Sequence, residues 1–124
     1  MCMAGGPVEK EKGFRHLVAA TRYSLGGAVR LFDEEAFRHE LIAFIAGLIL
    51  FLAVGAQLMQ FLVFTVLMLV LFAVEALNTA IEELVDRVSP EHSLSGKHAK
   101  DLGSFATFCL LVANGLYAAY VVFF

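Results

Sequence analysis

The sequence predicts an all-α membrane protein made of one N-terminal amphipathic surface helix and three transmembrane helices. Three observations predict it. Of its 124 residues 60% are hydrophobic, and the mean hydropathy of +0.78 is far above that of an ordinary soluble domain. Three stretches run for about the thickness of a bilayer with almost no charge. All nine Lys and Arg residues then fall on one side of the arrangement that those stretches force. A net charge of -3 offers neither a basic footprint for nucleic acid nor an acidic tail.

Residues 1–12 mix Gly, Pro and charge and are expected as a flexible tail, with no apolar segment of a cleaved signal and no lipidation pattern around Cys2. Cys2 in that tail and Cys109 in an apolar run are not expected to form a disulfide, and Cys109 reads as a small packing residue. Over 14–32, Phe14, Leu17, Val18, Leu25, Val29 and Phe32 recur at helical spacing while Arg15, His16, Arg22 and Arg30 fall on other faces. Such a helix is too polar to cross a membrane. It suits the headgroup layer, its apolar face dipped into the acyl boundary, and Gly26 with Gly27 leaves room for a bend.

Asp33, Glu34 and Glu35 open the next helix, where acids favour a helix start. Residues 41–56 carry no charge for 16 positions, and the first span is placed at 34–54. The turn at 55–57 is so short that the second span, 58–88, must return antiparallel, and its first part, 58–74, is uncharged. Pro90 ends it within the break at 89–93. The third span is placed at 97–124, with 23 uncharged residues from Leu102 onward. Residues 13–124 thus read as one membrane-embedded domain.

Lys10, Lys12, Arg15, Arg22, Arg30 and Arg38 precede the first uncharged run, and Arg87, Lys97 and Lys100 flank the loop between the second and third spans. The positive-inside rule puts the N-terminus and that loop in the cytoplasm and the C-terminus on the far side.

The chemistry concentrates in residues 75–87, EALNTAIEELVDR, where an apolar helix runs into a row of acids. On one helix Glu82 and Asp86 lie about 20° to either side of Glu75, and Asn78 about 60° away. Glu75 lies roughly 16 Å below Asp86, so the stripe descends from the water interface into the apolar layer. A carboxylate at that depth is expensive and reads as functional. Glu82 and Asp86 fit two roles: members of a site, or interface residues pairing with Arg87 or Lys100. Glu35 and Glu83 read as solvated charges. Carboxylates in such a group suit magnesium, which one or two acids hold together with substrate phosphates. His16, His39, His92 and His98 share no ligand spacing and give no zinc site. Gly96 and Lys97 lack the upstream glycine and the following Ser or Thr of a phosphate loop. Ser104 and Asn114 read as interhelical hydrogen-bond partners.

Three motifs in order, DEEAFRHE at 33–40, EALNTAIEELVDR at 75–87 and AKDLGS at 99–104, resemble the small prokaryotic diacylglycerol kinases of Gram-negative type. The resemblance covers nearly the whole chain from Gly13 onward. It implies a homotrimeric helical bundle in the bacterial inner membrane, with active sites between helices at the cytoplasmic interface and a periplasmic C-terminus. The implied reaction, part of phospholipid metabolism, transfers the γ-phosphate of ATP to the primary hydroxyl of diacylglycerol, giving phosphatidic acid and ADP, with Mg2+ as cofactor. Position by position, Glu75 matches the general base and Asn78 a polar active-site position beside it, while Glu34 and Glu82 match the pair that holds magnesium against the nucleotide. Tyr23, Lys100 and Asp101 match nucleotide contacts, Glu91 and His92 fall in the loop over the nucleotide, and Ser104 matches a position near the lipid hydroxyl, which Glu75 also meets. Asp86 is a further polar residue of the site. Enterobacterial members place an arginine where this chain has His16, so either His16 or Arg15 serves that nucleotide contact, and residues 25–33 are one shorter than in those members.

Two other functions compete. An undecaprenol kinase would use the same site on a different lipid, although the AFRHE segment is more similar to the Gram-negative branch. A small proton-coupled transporter would also be short and marked by an intramembrane Glu, but predicts about four spans and acids near the bilayer centre.

Overall fold

The computed structural model describes residues 12–124, so the expected tail, Cys2 and Lys10 lie outside the described residues, Lys12 excepted. Four helices make up the described chain: α1 (Gly13–Leu31), α2 (Glu35–Ala53), α3 (Leu58–Val88) and α4 (Leu94–Phe123). The all-α class is as the sequence predicted, and α2, α3 and α4 are each long and apolar enough to cross a membrane. The chain divides into two units, one ending at Arg30 and the other running from Leu31 to Phe124.

In the first unit α1 runs as one helix through Gly26 and Gly27. Phe14, Leu17, Val18, Leu25 and Val29 are all exposed, which leaves an apolar face available to lipid.

In the second unit α3 is the central element. The α2–α3 turn closes with Gly55 at φ +71°, a left-handed conformation that glycine takes without strain. Around it Ala56 N–H donates to Phe51 O at 2.9 Å and Gly55 N–H to Leu52 O at 3.2 Å, a paired bonding that ends α2. Gln57 and Gln60 then form a reciprocal capping box that starts α3 at once. Down the α2–α3 seam the rings of Phe51 and Phe64 (4.8 Å between centroids), Phe44 and Phe64 (5.6 Å), Phe44 and Phe72 (6.0 Å) and Phe37 and Phe72 (5.2 Å) alternate between the helices. Phe51, Phe64, Met68, Leu71 and Val121 form the buried core.

The α3–α4 seam is of another kind. Buried Asn78 on α3 and Gly103, Thr107 and Asn114 on α4 belong to the small and polar residue types that let membrane helices approach closely. Asn114 does bridge helices, its Nδ2 donating to Leu67 O of α3 at 3.3 Å and to Leu110 O of its own helix at 2.9 Å. Cys109 is exposed, contrary to its reading as a packing residue, because it lies about 160° round α4 from Thr107. The third span's helix begins at Leu94, three residues before the predicted 97, because Ser93 Oγ accepts from Gly96 N–H at 3.0 Å and caps it there.

Candidate functional site

Burial along the acidic stripe of α3 falls toward the helix end. Glu75 and Asn78 are 5% and 8% exposed, Glu82 is half-buried and Asp86 is exposed. Asn78 and Glu82 lie one turn apart, and Asn78 Nδ2 donates to Glu82 Oε1 at 3.3 Å. The other oxygen of the amide, Asn78 Oδ1, is buried without a hydrogen-bond partner.

Glu75 has a neighbour to which the sequence reading gave no role. Glu40 of α2, 6% exposed, comes beside Glu75, and Glu40 Oε1 is buried without a hydrogen-bond partner. The signal for this pair was present in the antiparallel register: stepping out from the turn, Phe51 meets Phe64, Phe44 meets Phe72, and Glu40 then faces Glu75.

At the end of the stripe Lys100 Nζ of α4 reaches Asp86 Oδ1 of α3 at 2.6 Å, and Lys97 Nζ meets Asp101 Oδ2 at 2.6 Å. Of the two roles open to Asp86, the structure thus shows the pairing with Lys100; Glu82 instead takes Asn78. Asp86, Glu91, His92, Lys97, Lys100 and Asp101 share the lining of one cavity of about 560 Å³ at the α3–α4 loop. Next along the same helix pair lies an apolar groove of about 450 Å³, lined by Val74, Leu77, Asn78, Ile81, Leu102 and Gly103 among others. Ser104 is exposed on α4 beside Gly103. Glu34, half-buried, is the N-cap residue of α2. In the first unit His16 and Tyr23 are exposed and, seven residues apart, share a face of α1 with each other. No three His, Cys, Asp or Glu side chains among the described residues converge as a metal cage. The donor chemistry nonetheless fits magnesium, an oxygen-seeking ion that keeps several waters and uses one or two carboxylates plus phosphate.

The family model described as prokaryotic diacylglycerol kinase matches residues 22–122. The chain belongs to that family. A diacylglycerol kinase from a Sinorhizobium species is 66% identical over 119 residues, covering 96% of this chain and 87% of the relative. Diacylglycerol kinases from Haemophilus influenzae (38% identical, 93% of this chain and 98% of the relative) and Pseudomonas aeruginosa (39%, 88% and 89%) are similar across most of their length as well. Within this family framework the matched region takes in α2, α3 and nearly all of α4, and with them the acidic stripe and both cavities.

Proposed function

We propose that the protein is a membrane lipid kinase that transfers the γ-phosphate of ATP to the primary hydroxyl of diacylglycerol, yielding phosphatidic acid and ADP. The observation that carries this reading is the order of surfaces along α3 and α4: a charged cavity, the Asn78–Glu82 pair, and an apolar groove in series. A reaction between a water-soluble nucleotide and a lipid needs both surfaces within reach of one set of polar groups. The diacylglycerol kinases named above support the chemistry and favour diacylglycerol over undecaprenol. Three apolar helices among the described residues, short of the four that a small transporter predicts, support the kinase over the transporter.

Lys100, with Asp86 beside it, stands at the charged cavity and stabilises negative charge on the phosphates; Glu91, His92 and Asp101 line the same space. The family resemblance alone assigns His16 or Arg15, with Tyr23, to the nucleotide. Glu34 and Glu82 are the carboxylates that would hold magnesium, and Asn78, which donates to Glu82, would fix the orientation of that carboxylate. When bound, magnesium supplies positive charge to the transferring phosphoryl group. Glu75 accepts the proton of the lipid hydroxyl, and Glu40 holds Glu75 in place from α2. Ser104 lies beside the lipid end. The working form is a homotrimer in the bacterial inner membrane with the site facing the cytoplasm, a reading supported by the one-sided Lys and Arg placement and by acids that three helices alone leave partly uncovered.

The test offers diacylglycerol and undecaprenol together in mixed micelles to the detergent-purified protein, with γ-labelled ATP and magnesium. Label in phosphatidic acid is expected. Label in undecaprenyl phosphate alone would change the substrate, and label in neither lipid from folded protein would overturn the kinase reading.

A further inference from the structure

α4 comes close to a polar group of α3 where Gly103 faces Asn78. A β-carbon built on Gly103 would lie 3.2 Å from Asn78 Cγ, nearer still to Asn78 Oδ1, and 3.7 Å from Ile81 Cδ1. The Asn78 amide therefore occupies the notch that the missing side chain leaves. It has little freedom to withdraw, because Asn has two side-chain torsions and the helix confines the first to two wells. Gly103 is itself fixed: Thr107 Oγ1, one turn on and buried, donates to the Gly103 carbonyl at 3.3 Å. At Gly47, by contrast, the nearest neighbour is the ring of Phe64.

The notch matters because the same amide has a second end. With Oδ1 seated against Gly103, Nδ2 points along α3 to Glu82 Oε1. A methyl group at position 103 would force the amide to turn, and Glu82 would lose its donor. Groups that hydrogen-bond a metal-ligating carboxylate typically change metal affinity or activity by about 10- to 100-fold when they are lost.

We propose that Gly103 is a positioning residue for phosphate transfer: the space beside its α-carbon seats Asn78 so that the amide orients Glu82 for a divalent cation. The proposal rests on the reading of Glu82 as a magnesium carboxylate.

The test compares full-length wild type, Gly103→Ala, Asn78→Ala and the double variant in detergent micelles. Free Mn2+ is followed by electron paramagnetic resonance in the presence of a non-hydrolysable ATP analogue, alongside the Mg2+ dependence of transfer. Gly103→Ala is expected to weaken Mn2+ binding by about 10- to 100-fold, as Asn78→Ala does, with the oligomeric state unchanged. In the Asn78→Ala background the added methyl should have no further effect, because the group it displaces is gone. Wild-type Mn2+ affinity in Gly103→Ala, or the same loss again in the double variant, would overturn the proposal. If Gly103→Ala does not fold, recovery of folding in the double variant supports the clash with Asn78, and failure of both overturns it. A wild type that binds Mn2+ with the nucleotide but phosphorylates no lipid would sink the proposed reaction while leaving the Gly103 cycle to be decided by binding.

Discussion

The two halves of α3 are packed by opposite means. From Leu58 to about Val74 the helix is sealed by the alternating phenylalanine rings of the α2 seam, and Phe51 facing it is wholly buried. From Glu75 onward the neighbours are carboxyls, amides and a glycine, and both Glu40 Oε1 and Asn78 Oδ1 are buried without partners. Inside a bilayer apolar packing gains no hydrophobic drive over lipid, so the first half is held by ring-on-ring dispersion contacts and close fit. The second half keeps expensive polar groups at helix-packing positions, which membrane helices do where a reaction or a pathway requires it. One half makes the hairpin; the other carries the candidate site. Asn114 is the exception in the apolar half, and there the amide nitrogen is engaged twice while Oδ1 stays unpartnered.

If this division is right, substitutions in the two halves should separate activity from stability. The largest effect is expected from Glu75→Gln, which removes the base: labelled-phosphate transfer should fall by roughly 10²- to 10⁴-fold with the unfolding midpoint retained. Full turnover in that variant would break the comparison at its centre. Phe51→Ala should do the reverse, lowering stability by about 2–3 kcal/mol in denaturant unfolding through the cavity it leaves, without the transfer term a soluble core would add, while the protein that remains folded keeps its turnover. Gly47→Ala is a milder assault on the same seam. Its β-carbon would stand 2.6 Å from Phe64 Cζ, and a stability loss of about 1–3 kcal/mol is expected from the displaced ring. The smallest effect belongs to Asn114→Ala, where loss of the bond to Leu67 O should remove about 0.6 kcal/mol, the average for an interhelical hydrogen bond in a membrane protein. A much larger loss would mean that the apolar half depends on a polar staple after all.

The sequence made one half of the molecule easier to read than the other. Long uncharged runs mark helices because a bilayer leaves no other way to satisfy the backbone, and the helices α2 and α3 lie within a residue of the predicted bounds. The acids of α3 were legible for a related reason: charge in an otherwise apolar helix stands out, and helical periodicity puts Glu75, Asn78, Glu82 and Asp86 on one stripe. Glu40 was not legible in this way. It closes a run of charges at the start of α2 and looks like one more interface acid until the hairpin register brings it opposite Glu75.

By itself, then, the amino-acid order determined the helices, their length and apolar character suited to a membrane, and the face of α3 on which the acids lie, because those follow from local hydropathy and a fixed rise per residue. Only the tertiary structure decided which groups meet across helices: Glu40 with Glu75, Lys100 with Asp86, and Gly103 with the Asn78 amide. Those pairs depend on the register and closeness of two packed helices, set by the turn at Gly55, the phenylalanine seam and the small residues of α4, and no pattern along a single helix contains that information.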